Sequence, residues 1–266
     1  MNETFHLYLT GTTAYLRRTT GYFGRGPIDE VGQWEWDCLH PLSLNFDAVE
    51  GMGKERRRRL RVYLGSALCK FLVDELPDGV RDDEYLGVAS AQTAHKLGLT
   101  ASEWEFTFQL RKSDRKIFTC ALRKQVAERI RTLAAEHRLN LMSMTPFVAA
   151  LWNESTKFSD DAASSNLSLI VVEEDSFTTL ASSDGVIHSM NSFFHRGEAD
   201  LVNREVNRLQ FSFGVEQNIG VALLEKLRPI VDHQPEKLIR VRQAQSQRRR
   251  HDFSDLMFCD EAGEAA

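Results

Sequence analysis

The chain has 266 residues, of which 42% are hydrophobic and 27% are charged, so it is an ordinary globular protein long enough for one large domain or two lobes of roughly 100–150 residues. Its net charge of −5 excludes a general attraction to nucleic acid or anionic lipid, and binding to either would require a local basic patch. No apolar run reaches the ~18–20 residues that cross a bilayer, and the N-terminus lacks the basic and apolar regions of a secretory signal.

The beginning of the chain is predicted to consist mainly of strands. Residues 5–18 alternate apolar and polar side chains around a Thr-Gly-Thr turn, which is the pattern of a β-hairpin. A third strand is predicted over residues 33–39, which read QWEWDCL. Residues 60–76 then form a second strand–turn–strand unit around a Gly-Ser turn, and a proline closes it.

The middle of the chain alternates helices with strands. Apolar residues at helical spacing predict helices over 82–97, which Gly98 ends, and over 123–137. Between them, residues 104–122 alternate cleanly on both sides of a Lys-Ser-Asp turn and predict a third hairpin. Residues 139–155 predict a short strand followed by a short helix that Pro146 opens.

The last part begins with a linker-like stretch at 155–166, which is the predicted domain boundary. Residues 169–187 then predict a hairpin whose turn carries three carboxylates. A helix from about residue 198 and a strand within 218–231 complete the compact part. Because hairpins repeatedly precede crossover helices, the pattern predicts an α/β protein with mixed sheets, followed by a polar tail.

A resemblance to a known superfamily rests on residues 59–98, RLRVYLGSALCKFLVDELPDGVRDDEYLGVASAQTAHKLG, and on the WEFTF and KIFTCALRKQVAERIRTLAAEHRLNLMSMTPFVAALWNE segments after them. A strand ends near a Leu-Gly-Ser turn, a second strand has an exit proline, and a later strand and helix close on Leu-x-Ser-x-x-Pro. These features resemble the actin-like (ASKHA) superfamily, in particular the type II secretion L proteins (GspL-like) and the type IV pilus assembly protein PilM. The resemblance covers residues 5–230 in order and 60–153 closely.

The resemblance implies an α/β, actin-like fold with two RNase H-like lobes, whose mixed β-sheets are flanked by helices, around a cleft. The first lobe, with an inserted subdomain, would span residues 1–154 and the second 155–233. Residues 234–266 would form the polar C-terminal tail, expected to be disordered in part.

Superfamily members that bind ATP hold it between two glycine turns, each following Asp-x-Gly. Asp positions the hydrated metal, and Gly lets backbone N–H groups approach phosphate. Here the first turn lacks the Asp, and the second has carboxylates in place of Asp-x-Gly. Like charges ~4 Å apart cost about 4 kcal/mol, close to a thousandfold in affinity, so the second hairpin is predicted to be structural. The degenerate nucleotide-site candidates are Thr10, Gly11, Thr12, Glu173, Glu174, Asp175 and Ser176.

The function implied by the resemblance is that of a non-catalytic scaffold of a bacterial type IV pilus or type II secretion assembly platform. Such a scaffold is cytoplasmic and peripheral at the inner membrane, and it couples inner-membrane platform proteins to an assembly ATPase. It would need no cofactor. The alternative is a divergent ATP-binding member, with Glu173, Glu174 or Asp175 holding Mg²⁺ and Gly11 beside the phosphate. The sequence leaves open whether the chain forms a homodimer.

Two basic runs and one tryptophan pair are candidate contact surfaces for a partner or a membrane. The runs also support a third hypothesis, an adaptor for lipid or nucleic acid, although solvated charge is the simpler interpretation and nucleic acid is disfavoured by the overall charge. The surface candidates are Arg56, Arg57, Arg58, Arg59, Arg248, Arg249, Arg250, Trp34 and Trp36.

The cysteines and histidines carry no recognisable metal site. Four widely separated cysteines without a C-x-x-C pair favour a reduced, cytoplasmic protein. The eight histidines are scattered, and only Cys38 and His40 lie close together, so no metal site is predicted. Ser66 follows a glycine but lacks the G-x-S-x-G pattern of a nucleophile, so it is interpreted as a turn residue.

Overall fold

The computed structural model describes residues 2–21, 28–36, 44, 58–81, 83–111, 113–158, 167–183, 186–195, 199–212, 218–224 and 257–258. Within these ranges the chain forms thirteen strands and four helices. In chain order they are β1 (Asn2–Leu9), β2 (Thr13–Gly21), β3 (Ile28–Glu35), β4 (Arg58–Leu64), β5 (Cys69–Glu75), α1 (Tyr85–Leu97), β6 (Trp104–Arg111), β7 (Lys116–Arg123), α2 (Lys124–Glu136), β8 (Asn140–Pro146), α3 (Phe147–Phe158), β9 (Leu167–Val172), β10 (Ser176–Ser183), β11 (Val186–Phe194), α4 (Ala199–Ser212), β12 (Asn218–Leu224) and β13 (Met257–Phe258).

Two five-stranded sheets share one strand order. The first runs β3-β2-β1-β4-β8 and the second runs β11-β10-β9-β12-β13. The central strand β1 is antiparallel to β2 and parallel to β4. In the same way β9 is antiparallel to β10 and parallel to β12, so β1 corresponds to β9 and β4 to β12. The last strands differ, because β8 is parallel to β4 whereas β13 is antiparallel to β12. The repeated order confirms the predicted α/β fold with mixed sheets.

A third, three-stranded sheet is inserted between β4 and β8. Its order is β5-β7-β6, with both strand pairs antiparallel, and α1 and α2 pack against it. Strand β5 also lies beside β11 of the second five-stranded sheet, where the Lys70 Nζ sits 4.9 Å from the centre of the Phe194 ring. The insert therefore contacts the second sheet as well as the first.

The main hydrophobic core continues from the first sheet into the second. One cluster of buried side chains includes Leu7 of β1 and Ile170 of β9. Helix α2 contributes a buried stripe at helical spacing, which includes Val126, Ile130 and Leu133. Among the described helices, none is long and apolar enough to cross a membrane.

Most predicted elements are confirmed within a few residues. Helix α1 ends where Gly98 adopts a left-handed conformation, with φ of 62°, and the amide groups of Gly98 and Leu99 bond to carbonyls of the last turn. The hairpin predicted at 104–122 is β6 and β7, and the hairpin predicted at 169–187 contains β9 and β10.

The strand–turn–strand unit at 60–76 is not a hairpin. Its two strands, β4 and β5, lie in different sheets. The reason is that β4 is paired on both sides, with β1 and with β8, and has no free edge for β5. The turn at Gly65 and Ser66 therefore directs the chain out of the first sheet and into the insert.

Three boundaries also differ from the predictions. Strand β3 starts at Ile28, five residues before the predicted start, because its bounds follow its pairing with β2. Pro146 ends β8 and does not open α3; at the strand's end it is tolerated, since no further ladder bond is needed. Helix α3 continues to Phe158 and so occupies the start of the predicted linker.

The rest of that linker, residues 159–166, lies outside the described residues, and the domain boundary stays a prediction. The predicted tail at 234–266 lies outside them too, except for β13. The backbone of β13 pairs with that of β12, with Phe258 opposite Leu223 and Met257 opposite Leu224.

Candidate functional site

Three turns at strand ends of the two five-stranded sheets lie in contact with one another. They are the β1–β2 turn at Gly11, the β4–β5 turn at Gly65, and the β9–β10 turn at residues 173–175. A Cβ atom on Gly11 would stand 2.6 Å from Oδ2 of Asp175, and one on Gly65 would stand 2.6 Å from Oε1 of Glu173. The structure thus brings together the two predicted turns and adds a third.

The β1–β2 turn is closed by its own hydrogen bonds. The Thr10 amide donates to the Thr13 carbonyl at 2.9 Å, and the Thr13 amide donates to the Thr10 hydroxyl at 3.0 Å. Trp36 braces the same turn, since its indole Nε1 donates to the Thr10 carbonyl at 3.0 Å and its amide donates to the Thr12 carbonyl at 2.9 Å. Trp36 is buried, so the prediction that it forms a partner surface is wrong.

Glu173 is the central residue of the site. Its side chain is fully buried, one carboxylate oxygen accepts from the Ser66 amide at 2.5 Å, and the other accepts from the Tyr8 hydroxyl. Burial raises the pKa of Glu173 to about 7, and the hydrogen bonds from Tyr8 and Ser66 oppose that rise. The same burial, together with the negative charge of Glu173, raises the pKa of the Tyr8 hydroxyl. Tyr8 therefore stays a donor.

Glu174 and Asp175 complete the acidic turn. The Tyr15 hydroxyl donates to Glu174 at 2.9 Å, and burial and this carboxylate raise the pKa of Tyr15. Asp175 accepts from the Ser176 hydroxyl at 3.0 Å and lies against Gly11. Each of the three carboxylates therefore has a hydroxyl partner, and for Glu173 and Glu174 that partner is a tyrosine of the first sheet.

The position of the acidic turn is set by β10 and by His195, just after β11. The buried His195 donates from its amide to the Asp175 carbonyl at 2.9 Å and from Nε2 to the Glu173 carbonyl at 2.8 Å. Thr178 of β10 donates its hydroxyl to the Ser66 hydroxyl at 2.7 Å, which is a further bond between the two parts of the chain. Glu173 is thus held in place from both its backbone and its side chain.

Three solved structures resemble this chain in their overall fold. A Bacteroides thetaiotaomicron protein with an actin-like ATPase fold and unknown function aligns over 86% of this chain and 85% of its own, with a TM-score of 0.55 and 14% identity. The cytoplasmic domain of EpsL, an inner-membrane component of the Vibrio cholerae type II secretion system, aligns over 84% and 82%, with a TM-score of 0.52 and 8% identity. A structure of the PilM–PilN type IV pilus biogenesis complex aligns over 85% and 72%, with a TM-score of 0.52 and 11% identity.

The chain has an actin-like fold. Likeness at such low sequence identity establishes the fold and leaves the activity open. No protein-family model matches the chain, and no curated protein matches it.

The residues at these three turns do not fit a triphosphate with its metal ion. The two glycines that would let phosphate oxygens approach the backbone, Gly11 and Gly65, are instead in contact with the carboxylates of Asp175 and Glu173. The Ser66 amide is already bonded to Glu173. In the described part of the chain, no group of three or more His, Cys, Asp or Glu residues could hold a metal ion.

The basic candidates do not join this site. Arg58 lies at the opposite end of β4 from Gly65, near the Phe5 ring at 5.2 Å and near the buried Glu3 carboxylate at 3.8 Å. Arg59 is half-buried on the same strand. Arg56, Arg57, Arg248, Arg249 and Arg250 lie outside the described residues. Trp34 is half-buried, packs against the core and lies over Gly32, 2.7 Å from where a Cβ would stand.

Several residues of the site were missed by the sequence analysis. The available signal was the Gly-Ser pair itself, a small-residue turn that resembles a phosphate turn more closely than the acidic one does. The two tyrosines could not be recognised as site residues, because the alternation of apolar and polar residues is equally consistent with ordinary core positions for them. The missed residues are Tyr8, Tyr15, Gly65, Thr178 and His195, with Ser66 interpreted only as a turn residue.

A Gly65→Ala substitution is expected to lower the free energy of unfolding by about 1–3 kcal/mol. The added methyl group would meet Glu173, which cannot move away because it is buried and bonded, and also the Leu9 carbonyl at 2.9 Å. Gly87→Ala in α1 is the matched control, since nothing lies within 4 Å and the helix should gain up to ~1 kcal/mol. Urea unfolding measures both, and a Gly65→Ala protein as stable as wild type would contradict the proposed contact.

Proposed function

We propose that the chain is a non-catalytic, actin-like scaffold of a bacterial type IV pilus or type II secretion assembly platform. In this role it couples inner-membrane platform proteins to an assembly ATPase through protein–protein contacts. It works in the cytoplasm, peripherally at the inner membrane, and needs neither nucleotide nor metal.

One observation supports the non-catalytic part most strongly, and that is the position of Glu173. A fully buried carboxylate takes up the Ser66 amide and the Tyr8 hydroxyl at the junction of the two sheets. Bringing in a triphosphate would require Glu173 to leave these donors, and a like charge ~4 Å away would cost about 4 kcal/mol even at an effective dielectric constant near 20.

The likeness to EpsL and to PilM supports the proposed setting. The first is the cytoplasmic part of an inner-membrane component of a secretion system, and the second belongs to a pilus biogenesis complex with PilN. Partner contacts would use an exposed sheet edge or a groove, where a peptide can add as a strand.

Millimolar ATP with Mg²⁺ is expected to leave the melting temperature of the wild-type chain unchanged relative to Mg²⁺ alone. A ligand at 100 times its Kd would add about 2.7 kcal/mol of stability, so binding of ordinary strength would be visible by differential scanning fluorimetry. A Mg²⁺-dependent shift that saturates with ATP would favour the alternative, a divergent ATP-binding protein, and would contradict the proposal.

The assembly role is tested separately by affinity purification from the membrane fraction of the native cell. The expected result is co-purification of an inner-membrane subunit of a pilus or secretion platform, and of its ATPase, with the tagged chain but not with the tag alone. A chain that purifies from that fraction without either component would contradict the scaffold role. It would not affect the separate proposal that the chain binds no nucleotide.

A further inference from the structure

The partners of the buried Glu173 side chain form a binding arrangement for one carboxyl group. Its described donors, the Ser66 amide, the Tyr8 hydroxyl and the more distant Ser176 hydroxyl at 3.5 Å, are all neutral. Backbone N–H groups at small-residue turns are common donors to carboxyl oxygens. Burial raises the pKa of Glu173 to about 7, so these neutral donors hold the protonated acid as well as the carboxylate. The carboxylate is therefore bound as a ligand would be.

Gly65 leaves room for the carboxyl group of Glu173 because it has no side chain. Its φ is not positive, so the backbone there does not require glycine, but a Cβ would stand 2.6 and 2.8 Å from the two oxygens of Glu173. The turn is fixed from the other side as well, since the Gly65 amide donates to the Leu9 carbonyl at 2.7 Å. A fixed turn whose Ser66 amide has no Gly65 side chain in front of it is suited to one small carboxyl group.

The second donor is equally fixed. Tyr8 is fully buried, with its ring centre 4.3 Å from that of Phe147 and 5.7 Å from that of Tyr15. Its hydroxyl is therefore held in place whether or not Glu173 is present. The two donors belong to the first half of the chain, 107 and 165 residues away from the acid they hold.

We propose that the Gly65–Ser66 turn and Tyr8 form a binding site for a single carboxyl group, which the chain fills with its own Glu173, and that acetic acid or acetate can bind there once this side chain is removed. The bound side chain then acts as an internal ligand that joins the two five-stranded sheets across the cleft. This inference depends on the proposed function in one respect, which is that the wild-type chain binds no nucleotide at this site.

The test uses the full chain with Glu173→Ala, which removes a CH₂–COO⁻ group that acetate closely matches. The melting temperature is measured at about pH 5.5, where both acetate and its conjugate acid are present, in sodium acetate and in sodium chloride of equal ionic strength. We expect acetate to raise it by about 2–4 °C at ten times the acetate Kd, and to saturate, whereas chloride does not. Glu174→Ala is the matched control, because its half-buried neighbouring carboxylate contacts Tyr15 and not the Ser66 amide.

A second variant tests the donor. Adding Tyr8→Phe to Glu173→Ala should weaken acetate binding by about three- to tenfold, as expected for loss of one buried hydrogen bond. If Glu173→Ala is unfolded in chloride, the same titration is followed by circular dichroism, and recovery of the folded spectrum in acetate is the expected result.

Three results would overturn the proposal. They are a folded Glu173→Ala protein with the same melting temperature in both salts, an equal acetate response from Glu174→Ala, and an unfolded Glu173→Ala protein that acetate does not restore. Each is measured without nucleotide, so failure here is separate from failure of the proposed function, which would appear as ATP-dependent stabilisation of the wild-type chain.

Discussion

A Phe147→Ala variant is expected to lose about 3–5 kcal/mol of unfolding free energy. Phe147 is 1% exposed at the start of α3, and its ring packs on those of Tyr8, at 4.3 Å, and Tyr63, at 6.2 Å. Removing it leaves a cavity beside the tyrosine that holds Glu173. Since domains are stable by only about 5–15 kcal/mol, this one change would remove a large share of the total.

Urea unfolding measures the effect of Phe147→Ala on the free energy of unfolding, and we expect the m-value to stay unchanged. The control is Leu86→Ala, because Leu86 is 51% exposed on α1 and its truncation should change stability by no more than about 0.5 kcal/mol. Equal losses from the two variants would show that the Phe147 ring does not support the core.

The second large effect is a pH dependence that Glu173→Gln should abolish. The pKa of Glu173 is about 7 in the folded protein against an ordinary value of 4.5. Between these two pH values the folded state holds a proton that the unfolded state has lost, so the stability of the wild-type protein falls as the pH rises. The pKa values differ by about 2.5 at about 1.4 kcal/mol per unit, so this contribution is about 3–4 kcal/mol, present below pH 4.5 and lost above pH 7.

Urea unfolding of both proteins from pH 5 to pH 8 tests this. Over this range the stability of the wild-type protein should fall by about 2–3 kcal/mol more than that of Glu173→Gln, because the other titrating groups are common to both. Glu105→Gln is the control, since its hydrogen bonds to Arg131 lower the pKa of Glu105 and keep it ionised throughout this range. Parallel curves for wild type and Glu173→Gln would refute the assignment of a raised pKa.

The features that sequence alone determined are local ones. The hairpin of β1 and β2, the buried stripe of α2 and the stop at Gly98 follow from side chains a few residues apart, whose spacing is enough to specify a strand, a helix face or a cap. The order of hairpins and helices, with the pattern in residues 59–98, was also sufficient for the actin-like fold.

Only the tertiary structure decided what the acidic turn does. The sequence predicted that carboxylates at 173–175 would repel a phosphate, but it could not predict that Glu173 takes up the Ser66 amide and the Tyr8 hydroxyl instead. Nor could it separate β4 from β5, because the absence of a free edge on β4 depends on its pairing with β8 about 80 residues later. Whether a carboxylate excludes an anion or replaces it depends on its distance from donors elsewhere in the chain, and the packing of the two sheets sets that distance.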